Sequence, residues 1–88
     1  MNNQSVKGNY TKELMYVGDF SYSDDFQYLY IWLPGRNGPD CLPIKRETTD
    51  VEQVWMWNGN VERPTLTPSI LVRGEWHGWL KNGELVSC

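Results

Sequence analysis

The 88-residue chain has only two cysteines, Cys41 and Cys88, and a single histidine, His77. Two thiols, one of them the last residue, are too few for the disulfide framework of a small secreted domain, so a reducing setting is expected. One imidazole cannot by itself furnish a zinc site, and no Cys-x-x-Cys or His-x-x-x-His spacing supports one. No apolar run approaches the length of a membrane span, and residues 1–10 lack the apolar core of a signal peptide. Positive charge is also scarce: eight Lys and Arg against eleven Asp and Glu leave a formal net charge of −3. That balance disfavours the broad phosphate footprint of a duplex-binding protein.

Aromatic residues are what the chain has in quantity: five Trp, five Tyr and two Phe make up 14% of it. A core this small cannot enclose them all, so some are expected to face a ligand or another chain. A chain of this length also buries only about three-fifths of its unfolded surface, and homo-oligomerisation is a common supplement.

No stretch of ten or more residues carries a helical apolar stripe, whereas short alternating runs recur. Residues 1–11 read as a polar tail and 12–88 as one small domain. Residues 26–33 predict a central strand, with Tyr28, Tyr30 and Trp32 on one face and Leu29, Ile31 and Leu33 on the other, both covered. Pro34, Gly35, Asn37, Gly38 and Pro39 form a turn cluster that leaves 41–45 only an edge segment. Residues 46–52 read as a charged connection and 53–57 as a further strand. Pro64 and Pro68 predict an unpaired extended loop over 65–67. Asn82 and Gly83, between 76–81 and 84–87, are the strongest hairpin signal in the chain and place Lys81 opposite Glu84. The predicted class is all-β with at most one short helix, in a small sandwich or half-open barrel with a C-terminal hairpin.

Candidate chemistry centres on Arg63, Thr65, Thr67 and Ser69, whose alternation in an extended segment would project them to one side. An arginine fork with hydroxyls around it suits an anion, and Trp55, Trp57, Trp76 and Trp79 offer faces for stacking on a base. Arg36, at the tip of the Gly-rich turn, and His77 complete the expected ligand-binding set. The competing reading has Thr65 and Ser69 bonding their own loop backbone. A metal site or nucleophilic pair built from His77 with Cys41 or Cys88 lacks supporting context, because neither thiol is set at an activating helix N-terminus. Asp24 and Asp25, adjacent on an extended chain, point to opposite faces and make a poor acid–base pair.

The segments Trp55-Met56-Trp57-Asn58-Gly59-Asn60, Arg63-Pro64-Thr65-Leu66-Thr67-Pro68-Ser69-Ile70 and Trp76-His77-Gly78-Trp79-Leu80-Lys81-Asn82-Gly83 resemble a group of small phage and prophage proteins. Those proteins share a Trp-x-(Trp or Phe)-(Asn or Asp)-Gly element, a Pro-Thr-x-x-Pro-Ser element and a His in a late hairpin. Many also carry a Cys before that His, where this chain has Trp76. The resemblance implies a phage setting, and an anti-defence role in the host cytoplasm is the expectation built on it. Together these readings predict a non-catalytic homo-oligomer that sequesters a small phosphorylated, nucleotide-like ligand, with no cofactor, metal, membrane or duplex nucleic acid. The alternatives are an inhibitor that covers a host protein and a small metal-dependent enzyme.

Overall fold

The structure, a computed structural model, describes residues 5–45 and 53–88. The connection read at 46–52 therefore lies outside the described residues. Within them the chain forms ten short strands and no helix: β1 (Ser5–Lys7), β2 (Asn9–Tyr10), β3 (Asp19–Tyr22), β4 (Tyr28–Ile31), β5 (Asp40–Pro43), β6 (Met56–Trp57), β7 (Leu66–Thr67), β8 (Ile70–Val72), β9 (Trp76–Lys81) and β10 (Glu84–Ser87). Two four-stranded sheets, in the orders β1-β10-β9-β8 and β2-β3-β4-β5, are joined by a two-stranded ribbon of β6 and β7. The all-β class follows from the sequence as expected.

The core is built from the inward face of each sheet. Phe20, Leu29, Ile31, Leu33, Leu42 and Ile44 meet Leu66, Ile70, Val72, Leu80 and Leu85 in one buried cluster. Each of these side chains contributes about 1.5–3 kcal/mol by leaving water. Strand β4 lies between β3 and β5, as its central reading required. Only one of its faces is fully covered, however: Leu29 and Ile31 are sealed, while Tyr30 lies exposed.

Two other expectations need correction. Ser5–Lys7 and Asn9–Tyr10, inside the segment read as a tail, are strands, one in each large sheet. The chain changes sheets at Gly8, whose amide donates to the Gly83 carbonyl at 2.8 Å. A Cβ at Gly8 would collide with that carbonyl and lie 3.1 Å from the Phe20 ring, so only glycine allows this crossing. Leu66 and Thr67, expected to be unpaired between two prolines, form a ladder with Trp57 and Met56. The prolines flank this two-residue strand and take no amide from it.

The C-terminal hairpin matches its sequence signal. Asn82 and Gly83 adopt φ of 50° and 78°, as a type I′ turn requires, and Lys81 stands opposite Glu84. Asn58 and Gly59 open a loop that two asparagines organise. The Asn58 Oδ1 accepts from the amides of Asn60 and Thr65, and the Asn60 Oδ1 accepts from those of Glu62 and Arg63.

Candidate active site

Strands β8 and β9 form a hairpin whose register sets Ile70 against Gly78, Leu71 against His77 and Val72 against Trp76. The reversal runs through 73–75, with Gly74 at a φ of 76° and the Glu75 amide donating to the Val72 carbonyl at 2.9 Å. Ile70, Val72, Gly78 and Leu80 point into the core, so the alternate positions Leu71, His77 and Trp79 point out. Ser69, one residue before β8, continues the register opposite Trp79 and is the diagonal neighbour of His77. Across that diagonal, the Ser69 hydroxyl lies 2.9 Å from the His77 Nε2. Ser69 is half-buried and His77 exposed. A hydroxyl within hydrogen-bond reach of an imidazole nitrogen is the arrangement in which a general base activates a serine nucleophile.

The pair is held from several directions. The chain enters Ser69 after a cis Thr67–Pro68 bond, and the Trp55 indole N–H donates to the Ser69 carbonyl at 3.4 Å. On the next strand, Gly78 leaves room for the Trp76 indole, since a Cβ there would meet that ring and the Val86 carbonyl. The Trp76 N–H donates to the Ser87 hydroxyl at 2.9 Å, and the Cys88 amide donates to the His77 carbonyl at 2.9 Å. Among the described residues, no carboxylate bonds the His77 Nδ1 and no group of three His, Cys, Asp or Glu is close enough to hold a metal. Among the described residues the arrangement is a Ser–His pair.

The other residues expected to share one ligand pocket are dispersed. Arg63 is exposed and lines a small cavity of about 190 Å³ with Lys7, Glu62 and Glu84. Arg36 pairs with Asp40 at 3.0 Å and lines a separate cavity of about 410 Å³ with Arg73 and Glu75. The Thr65 hydroxyl accepts from the Asn82 amide at 2.9 Å, while Thr67 is exposed on the ribbon. Trp76 and Trp79 sit on opposite faces of one strand. Trp55 and Trp57 pack against the core, and Trp57 ends an aromatic chain that runs through Phe26, Tyr22 and Phe20. The asparagine-built loop and the turn at Pro68 break the alternation that would have aligned Arg63, Thr65, Thr67 and Ser69.

Cys41 and Cys88 are both exposed. Partial burial and the neighbouring Asp40 raise the Cys41 thiol above its ordinary value, which makes it a poorer nucleophile at neutral pH.

The BubE family, the bacterial ubiquitination-like system serine protease, matches residues 6–88. The chain belongs to this family. No curated protein and no solved structure matches it. BubE membership points to protease-type chemistry and overturns the reading of a non-catalytic phage protein that sequesters a phosphorylated ligand. The anti-defence role inferred from phage relatives falls with it. Ser69, expected to contact phosphate oxygens, bonds an imidazole instead.

Both members of the dyad were among the expected ligand-binding residues, but their pairing was not anticipated. The signal was present in the numbering. Positions 69 and 77 have the same parity about a turn at Gly74, so a three-residue reversal puts both on one face of the hairpin.

Proposed function

We propose that this BubE-family chain is a serine peptidase in which Ser69 is the nucleophile and His77 the general base. The observation that carries the reading is the 2.9 Å contact between the Ser69 Oγ and the His77 Nε2. The Oγ attacks the carbonyl carbon of the scissile bond while its proton passes to Nε2. Collapse of the tetrahedral intermediate breaks the C–N bond, and Nε2 returns the proton to the departing amine. Water then adds to the acyl-serine ester, giving its proton to Nε2, and the ester breaks to free the acid and restore the hydroxyl. Among the described residues strand β8 is an edge strand, so amides on its unpaired side are candidate donors to the developing oxyanion.

The dyad sits on an open sheet face, outside the cavities lined by Arg36 and Arg63. Small-molecule sites are concave, whereas an open face admits an extended segment of a folded substrate. The family name directs that expectation to the C-terminal tail of a ubiquitin-like modifier, where a peptide or isopeptide bond is hydrolysed.

The test is labelling with an alkyl fluorophosphonate, followed by intact-mass and peptide analysis. One adduct on Ser69 of the wild-type chain, absent from Ser69→Ala and strongly slowed in His77→Gln, supports the reading. An unlabelled wild-type chain, or an adduct elsewhere, would exclude it.

A further inference from the structure

On the outward face of the β1-β10-β9-β8 sheet, the ladder sorts side chains into rows that run across the strands. One row holds Leu71 and His77, directly opposite each other. The next holds Ser69, Trp79, Val86 and Ser5: Val86 pairs with both Trp79 and Ser5, and Ser69 extends the β8 register opposite Trp79. A third row is charged, with Lys81 opposite Glu84 and Glu84 opposite Lys7. Leu71 is 60% exposed and Trp79 38%, although both are large apolar residues.

This geometry orients any chain that reacts at Ser69. The leaving amine must depart toward the imidazole that protonates it, so the leaving-group side lies over the row of His77 and Leu71. The acyl side then lies over the row of Trp79 and Val86. The side chain of the attacked residue is attached two bonds from the carbonyl carbon, and opposed positions in an antiparallel pair have Cβ atoms about 4.5–5.5 Å apart. That side chain therefore falls on the Trp79 indole.

We infer that Trp79, backed by Val86, is the specificity surface for a large apolar or aromatic side chain on the residue whose carbonyl Ser69 attacks. The inference rests on the peptidase reading of the dyad and adds the class of residue that it accepts. Trp79 touches substrate without taking part in proton transfer. Its removal is expected to act on discrimination between substrates.

The test compares three probes on the purified chain: an alkyl fluorophosphonate, and peptidyl diphenyl phosphonates whose phosphorus-bearing residue is a phenylalanine or a glycine analogue. The wild-type chain is expected to react with the phenylalanine phosphonate at least about tenfold faster than with the glycine one. Trp79→Ala is expected to abolish that ratio, and Trp79→Phe to restore most of it. Equal rates with the two phosphonates, in a wild-type chain that the fluorophosphonate labels, would overturn the inference and leave the dyad standing. A ratio that survives Trp79→Ala would also overturn it. A wild-type chain inert to all three probes would remove the dyad and the subsite together.

Discussion

The indole N–H of Trp55 and the main-chain carbonyl of Ser69 are joined by a 3.4 Å hydrogen bond that ties the Ser69 backbone to the segment preceding the ribbon. Ser69 precedes strand β8, so this contact helps to fix the direction of its side chain. Trp55→Phe keeps most of the packing and removes the donor. It is expected to slow fluorophosphonate labelling of Ser69 several-fold, with the thermal transition lowered by only a few degrees. Unchanged labelling would show that Pro68 and β8 suffice to hold Ser69.

In the proposed reaction the acid–base step rests on His77. Replacement by Gln keeps a polar side chain in the same position but cannot cycle a proton at neutral pH. The rate of labelling or hydrolysis is expected to fall about 10²–10⁴-fold, with circular dichroism and melting unchanged because the side chain is exposed. A variant with near wild-type rate would mean that another group accepts the Ser69 proton.

The crossing at Gly8 has no room for a side chain, since a Cβ would strike the Gly83 carbonyl. Gly8→Ala is therefore expected to cost about 1–3 kcal/mol through overpacking. In a domain of this size the transition would fall by roughly 4–8 °C for each kcal/mol. Differential scanning calorimetry reads this directly, and an unchanged midpoint would show that the two sheets can part at that point.

Asp19 is buried, and its Oδ2 accepts from the amides of Met15 and Tyr16 at 2.9 and 3.0 Å. It thereby holds a loop on which Met15, Tyr16 and Val17 are all exposed. Asp19→Ala strands both donors and is expected to destabilise the fold by about 1–3 kcal/mol. In hydrogen exchange, the Met15 and Tyr16 amides should lose protection before those of β4 do. Retained protection at both would show that the loop does not need the carboxylate.

Burial is the main reason the Tyr22 phenol is raised above its ordinary value, with Tyr10 adding to the effect and Trp57 opposing it. Its hydroxyl also donates to the Val61 carbonyl at 2.8 Å. A group whose proton is held more tightly in the folded state contributes stability that is complete below the unfolded value and lost as pH rises beyond it. Stability measured by urea titration is thus expected to decline above about pH 10, the ordinary tyrosine value. Tyr22→Phe should flatten that decline, and an equal slope in the variant would assign the effect to the other tyrosines.

Local chemistry was enough to determine several elements. Alternation of Leu29, Ile31 and Leu33 marks one wall of the core, and Asn82 with Gly83 specifies a turn at positive φ whatever surrounds it. The edge position of Asp40–Pro43 follows from the prolines and glycines before it, since missing donors and extra backbone freedom act within a few residues. Other features depended on distant partners. The segment from Ser5 to Tyr10 is polar and carries no apolar period. It becomes two strands because unpaired edges of both sheets are available to it. The hydroxyls at 65, 67 and 69 look equivalent as a string, but Asn82 engages the first, the ribbon exposes the second and His77 takes the third. Sequence by itself determined residue types, alternation and turns, all set by short-range sterics and solvation. The dyad was decided only by the tertiary structure, because a 2.9 Å contact between side chains eight positions apart exists only once the hairpin register has closed.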